Sequence, residues 1–207
     1  MKTRKQYVFD PNRDAKLMLR VKQGDLEAFE EIYKNYKASL GAFFYHLVWD
    51  ASRSEDYIQE VFLRLWKSAG RYEHTGKFST YLFQIAKNFW LNERRKLKRA
   101  PTSYSLDATI TGGEGGFSSQ PPSAQATPST IVARAELKAR VQQALESLSE
   151  KLRLVFVMSE YQELKYREIA DVLDIPIGTV KSRMAGAEKK LREKLHRCLS
   201  EYRLRHE

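Results

Sequence analysis

Apolar positions recur at helical spacing along almost the whole chain. Phe29, Ile32, Tyr33, Tyr36, Leu40, Phe43, Phe44 and Leu47 hold the helical period from residue 29 to residue 47, the longest regular pattern present. Ile58, Val61, Phe62, Leu65 and Trp66 repeat it, after Ser52 and Glu55 at capping-box spacing. Phe78, Tyr81, Leu82, Ile85 and Phe89 predict a further helix that runs into the basic stretch 92–99. A shorter helix at about 14–22 comes first, with Gly24 to end it and Asp25 placed to cap the next. Downstream, Val141, Ala144, Leu145 and Leu148 form one stripe. Leu152, Val155 and Phe156 form another, after Ser147 and Glu150 at capping-box spacing. No convincing period-2 strand interrupts these stripes. The predicted class is all-α: two small helical domains, 12–100 and 134–200, the second ending in a helix-turn-helix.

The segment between them has a different composition. Residues 101–130 hold four of the six prolines and four of the ten glycines, and their only charges are Asp107 and Glu114. Such a stretch buries too little apolar surface to offset the entropy of ordering, so 101–133 reads as a flexible linker. Tyr104, Leu106, Ile110 and Phe117 are its few apolar handholds.

The stretch from Tyr166 to Arg183 reads as two short helices joined by a tight turn. Ile169, Ala170 and Leu173 mark the inner side of the first, with small Ala170 where a second helix must cross closely. Asp174 stands at the turn, where a left-handed backbone is usual and Asp tolerates it. Pro176 cannot continue the first helix and opens the second, where a missing N–H costs little. Val180, Met184, Ala187, Leu191 and Leu195 then point inward, and Lys181, Ser182, Ala185 and Lys189 point outward. That arrangement suits a recognition helix in a DNA major groove. A structural helical hairpin with a solvated basic face produces the same pattern.

Charge adds a polyanionic partner to the picture. The net charge is +10, and it is unevenly spread. Residues 1–100 carry 20 Lys/Arg against 12 Asp/Glu, residues 134–207 carry 16 against 12, and the segment between carries no cation. Two basic units allow two separate contacts with nucleic acid. Within the first, Lys87, Arg94, Arg95, Lys96, Lys98 and Arg99 face one acid, Glu93, among the rings of Tyr72, Phe78, Tyr81, Phe83, Phe89 and Trp90. Interleaved rings and cations suit single-stranded nucleic acid, bases stacking while cations follow phosphates. Phe78, Tyr81 and Phe89 share the apolar stripe, whereas Phe83 and Trp90 lie off it and are the rings available for stacking. A packed helix with a solvated basic end is the competing reading.

Other chemistries find little support. Cys198 is the single cysteine, so intramolecular disulfides and multi-Cys zinc sites are excluded. His46, His74, His196 and His206 are scattered, and the acids show no metal-ligand pairing. No enzymatic activity, cofactor or metal is expected. No apolar run approaches membrane-spanning length and the first residues lack a signal-peptide core, so a cytoplasmic protein without membrane insertion is expected.

Three motifs in order carry a family resemblance: Glu55-Asp56-Tyr57-Ile58-Gln59-Glu60-Val61-Phe62-Leu63-Arg64-Leu65-Trp66; Phe78-Ser79-Thr80-Tyr81-Leu82 with Ile85-Ala86-Lys87-Asn88; and Glu168-Ile169-Ala170 with Pro176-Ile177-Gly178-Thr179-Val180-Lys181-Ser182-Arg183. Over about 12–99 and 134–198 the chain resembles the extracytoplasmic-function sigma factors of bacterial RNA polymerase. The resemblance implies that Asp56, Gln59, Glu60 and Arg64 dock on the polymerase core. It implies that Phe78, Thr80, Tyr81, Lys87 and Asn88 capture unstacked bases of the single-stranded −10 element, with Arg94 and Arg95 on adjoining phosphates. Lys181, Ser182, Arg183 and Lys189 would read the double-stranded −35 element, and free backbone N–H groups at Gly178 and Thr179 would grip a phosphate. An anti-sigma factor is a further implied partner. A helix-turn-helix regulator independent of sigma activity is the alternative. The chain departs from the family pattern in having Tyr81 for Trp and Asn92 for Asp. Glu163 and Lys165 replace Gly and Ser before the first helix of the DNA reader. Ala185 and Gly186 are small where larger side chains often reach bases.

Overall fold

A computed structural model of the chain describes residues 11–99 and 128–206. The first unit comprises α1 (Pro11–Lys22), α2 (Leu26–Val48), α3 (Ala51–Ser68), a 3-10 turn (Ala69–Arg71) and α4 (Phe78–Arg99). The second comprises α5 (Pro128–Glu146), α6 (Glu150–Glu160), α7 (Tyr166–Leu173) and α8 (Ile177–His206). The fold is all-α in two helical units, and no strand occurs among the described residues. Helix α5 begins at Pro128, inside the stretch read as linker; residues 100–127 of that stretch lie outside the described residues.

Local chemistry sets the helix ends. Gly24 turns the chain at φ +89°, a backbone that side chains strain to adopt. Asp25 then accepts from the Ala28 N–H at 3.0 Å and pairs with Arg20 at 2.8 Å, and both contacts hold its carboxyl below the ordinary value. Helix α2 stops at Trp49, left-handed at φ 56°, whose N–H donates to the Tyr45 carbonyl at 2.7 Å. Asp50 caps α3 by accepting from the Arg53 N–H at 3.0 Å. The capping box read at Ser52 and Glu55 therefore does not form: the cap lies two residues upstream at Asp50, and Ser52 is inside α3. The second predicted box does not form either. Ser147 donates back to the Ala144 carbonyl at 2.6 Å, and Ser149 occupies the cap position of α6.

The core of the first unit is aromatic. The Tyr36 hydroxyl donates to the buried Asp14 carboxylate at 2.6 Å, tying α2 to α1. Phe43 meets Phe83 at 5.5 Å between ring centroids, Tyr36 meets Phe78 at 5.3 Å, and Phe44 meets Phe89 at 6.1 Å, all edge to face. Phe83 and Trp90, expected to be available for stacking, are 0% and 1% exposed. Helix α4 packs against α1 and α3 on one side and α7 on another, so rings off its main stripe are buried too.

In the second unit, Val180, Met184, Ala187 and Leu191 of α8 face inward as the spacing predicts, but Leu195 is 36% exposed. On α7 the inner positions are Ile169, Ala170 and Val172, and Leu173 is only half-buried. An added Cβ at Gly186 would meet Leu152 at 3.6 Å, so this residue faces α6 rather than DNA.

The turn before α7 carries a correctable strain. Glu163 is held at φ 52°, and Lys165 stands at the cap of α7 with no side-chain acceptor to offer. Glu163→Gly should raise unfolding stability by about 0.5–1 kcal/mol. Lys165→Ser should add about 1 kcal/mol by capping. Urea titrations of each variant and of the double variant check both increments, and lower midpoints would contradict them.

Candidate nucleic-acid interface

Three helix faces hold the residues singled out in the sequence. On α3, Asp56 and Gln59 are exposed, while Glu60 and Arg64 form an ion pair at 2.7 Å one turn apart. The Arg64 guanidinium lies 4.9 Å from the Phe89 ring centroid, a cation–π contact that fixes its position. Leu63, 45% exposed, shares this face; it lies off the apolar stripe that the sequence reading followed. An apolar side chain ringed by fixed charges is what a protein-docking face needs.

On α4, Asn88 and Arg95 are open to solvent. Arg95 donates to Asn92 Oδ1 at 3.0 Å. Thr80 and Tyr81 are half-buried, and the Tyr81 hydroxyl shares a 2.9 Å hydrogen bond with Ser68 Oγ. Phe78 is fully buried beside Tyr36 and Tyr72, so its ring supports the surface instead of meeting a base. Lys87 is half-buried; burial pushes its pKa down, against the opposing charge of Asp174. Arg94 donates to Glu150 of α6 at 3.0 Å.

On α8, Gly178, Lys181, Ser182 and Lys189 are exposed, and Thr179 and Arg183 are half-buried. Asp174 has the left-handed backbone that the turn requires, φ 55°. The Pro176 carbonyl accepts from Val180 at 3.2 Å and from Thr179 at 2.8 Å. The Thr179 N–H is therefore not free, which corrects the expectation that it grips a phosphate. Open space surrounds Gly178.

The chain matches two family models, Sigma-70 region 2 over residues 32–100 and Sigma-70 region 4 over residues 138–191. It is 35% identical over 181 residues to the ECF RNA polymerase sigma factor SigW of Bacillus subtilis (strain 168), spanning 87% of this chain and 95% of that protein. The chain belongs to the ECF sigma factors of RNA polymerase. It is also 30% identical over 183 residues to the sigma-E factor of Escherichia coli (strain K12), with 88% of this chain and 94% of that one covered. The fold is similar to CnrH, solved in complex with the cytosolic domain of CnrY, at TM-score 0.63 and 20% identity over 89% of this chain and 97% of that one. It is also similar to sigma factor RpoE of Bartonella quintana, solved with the anti-sigma factor NepR, at TM-score 0.61 and 21% identity over 81% and 96%. A regulator independent of sigma activity is not favoured, since region 2 is matched as well as region 4.

In this sigma factor the two units are packed on each other, which no local pattern announced. The buried cluster runs from α1–α4 into Leu154, Val155, Met158, Ile169 and Val180 without a break. His46 of α2 stacks on Tyr161 at 3.5 Å, donating from Nδ1 to the Ala42 carbonyl at 2.7 Å, and Lys138 of α5 lies over the Tyr45 ring. A cleft of about 390 Å³ opens along the seam, with Lys77, Thr80, Tyr81 and Gln84 on one side and Lys165, Arg167, Glu168 and Asp171 on the other. Among the described residues no helix is long and apolar enough to cross a membrane.

Burial pushes the His46 imidazole pKa below its ordinary 6.5, against the Ala42 hydrogen bond. The packed form thus favours the neutral ring. Its contribution is fully present above about pH 6.5 and is lost as pH falls through the lowered value. Thermal melts between pH 7.5 and 5.5 should fall more steeply for the wild type than for His46→Phe; equal slopes would contradict this role.

Proposed function

We propose that this sigma factor carries bacterial core polymerase to bipartite −35/−10 promoters and performs no chemistry itself, acting where the polymerase acts, in the cytoplasm. In this reading residues 12–100 hold the polymerase through Asp56, Gln59, Glu60 and Arg64 and capture the −10 strand through Thr80, Tyr81, Lys87, Asn88, Arg94 and Arg95. Residues 134–200 enter the −35 major groove with Gly178, Lys181, Ser182, Arg183 and Lys189. Preference for unstacked bases over duplex would shift the promoter toward its opened state.

The observation that carries this reading is the row of Gly178, Lys181, Ser182 and Lys189 on α8, solvent-facing after a tight turn, on the same chain as the open Asn88 and Arg95 of α4. Basic and hydroxyl groups at that spacing suit base edges and phosphates of duplex DNA. Lys181→Ala tests it in gel-shift and run-off transcription assays. Loss of base reading weakens −35 binding by about 1–3 kcal/mol, whereas loss of a phosphate contact weakens it less and flattens the salt dependence. No change in either assay removes Lys181 from the reader. An anti-sigma factor is proposed as a regulator, since the Bartonella RpoE, which has a similar fold, was solved with one.

A further inference from the structure

Tyr81 lines the cleft beside Thr80, and its ring is held from a neighbouring helix. Ser68 is the last residue of α3, and its Oγ donates to the Leu65 carbonyl at 3.1 Å. A hydroxyl has one proton and two lone pairs, so in the 2.9 Å contact with Tyr81 the Tyr81 O–H donates and Ser68 Oγ accepts. The Tyr81 ring leans on Tyr72, 5.2 Å between centroids, and on Phe78 at 6.5 Å, both of them buried. Tyr72 is itself fixed. Its N–H donates to the Ala69 carbonyl at 3.0 Å, and its carbonyl accepts from Lys22 of α1, also at 3.0 Å. A half-buried ring is thus packed along its side and tethered at its far end to α3. Without the tether the ring keeps its packing but regains torsional freedom. Ordering a side chain on binding costs affinity, so a ring already fixed in place stacks a base more tightly. Trp, which the family pattern has at this position, carries no hydroxyl for Ser68 to accept from, so the tether belongs to the Tyr form of the site.

We propose that Ser68 is a positioning residue for strand capture. It fixes Tyr81 as a preformed platform on which an unpaired base of the −10 strand stacks, and it acts through the Tyr81 hydroxyl instead of touching DNA. This rests on the reading of Tyr81 as a strand-capture residue.

The test uses holoenzyme assembled from core polymerase and the full chain carrying Ser68→Ala, Tyr81→Phe, both together, or Tyr81→Ala. The probe is a labelled single strand with the non-template sequence upstream of a start site mapped for the wild-type holoenzyme, and fluorescence anisotropy reads its binding. A fluorescent base analogue quenched by stacking, placed singly along the same strand, reports which base meets the ring. Ser68→Ala and Tyr81→Phe should each weaken strand binding about 3- to 10-fold, the range for ordering one side chain. The pair should weaken it no further than either alone, because both remove the same bond. Quenching should fall at the same single position in both variants, a change that lowered stability alone does not confine to one base. Tyr81→Ala, which removes the platform, should bind more weakly still. Wild-type binding by Ser68→Ala and Tyr81→Phe, with Tyr81→Ala weakened, overturns the tether and leaves strand capture standing. Wild-type binding by Tyr81→Ala sinks the capture reading of this ring, and the proposal with it. Losses that add in the double variant show Ser68 acting apart from Tyr81 and also overturn it.

Discussion

Trp90→Ala should lower the unfolding free energy by about 3–5 kcal/mol, the largest single-residue effect on stability anticipated here. Trp90 is 1% exposed and sits in the continuous buried cluster that α4 shares with its neighbours. Truncation to Ala removes most of a large side chain from a close-packed site, and the cavity adds to the lost transfer energy. Its Nε1 has no hydrogen-bond partner among the described residues, so no polar contact is lost with the ring. Trp90→Phe, which also removes that orphaned donor, should therefore cost only about 1–2 kcal/mol. Urea unfolding with an unchanged m-value measures both. A Trp90→Ala midpoint close to wild type would place the ring outside the core.

The second large effect concerns the opened promoter. Replacing both Arg94 and Arg95 by Ala should reduce capture of single-stranded −10 DNA by polymerase holoenzyme by about 10- to 100-fold at low salt. Two lost phosphate contacts should flatten the plot of log affinity against log salt by about 1.4. Arg95 is exposed and, among the described residues, bonds to nearby Asn92, so its loss leaves the fold intact. Arg94 also holds Glu150, so a thermal melt of the double variant accompanies the assay and separates loss of this ion pair from loss of DNA contact. Asn88→Ala should behave differently, altering base preference at one position while leaving the salt slope alone. Identical salt slopes for wild type and the Arg pair would remove both guanidiniums from the phosphate path.

Which parts of this structure the chain announced follows from the range of each signal. Helical stripes depend on neighbours three and four apart, and α1–α4 and α6–α8 lie where those stripes run. The Asp174 turn and the Asp25 cap are equally local and were read correctly. Phe83 and Trp90 depart from the single-stripe reading because the buried arc of α4 is wider than one stripe: Phe83 meets Phe43 of α2, and α4 also packs on α1, α3 and α7. Leu195 keeps the stripe of α8, but α8 outruns the partners that bury Ala187 and Leu191, namely Ala144, Leu145 and Leu148. The cap of α3 was misplaced because Asp50 and Ser52 both fit the local rule, and only geometry chooses between them. The seam had no local signal at all. Lys77 and Glu168 are 91 residues apart, and Arg94 and Glu150 are 56 apart, so nothing periodic links them. The family's departures were more informative than they looked: Glu163, in place of the common Gly, is one of three non-glycine residues at positive φ among the described residues.

Transcription from defined templates by purified bacterial core polymerase, with and without this sigma factor, tests the central claim most directly. The account predicts that core enzyme alone starts no discrete RNA, that adding the protein yields start sites preceded by two separated sequence elements, and that Lys181→Ala impairs use of the upstream element while Asn88→Ala impairs the downstream one. Failure of the protein to bind core polymerase, or binding that yields no new start site on any template, would contradict it.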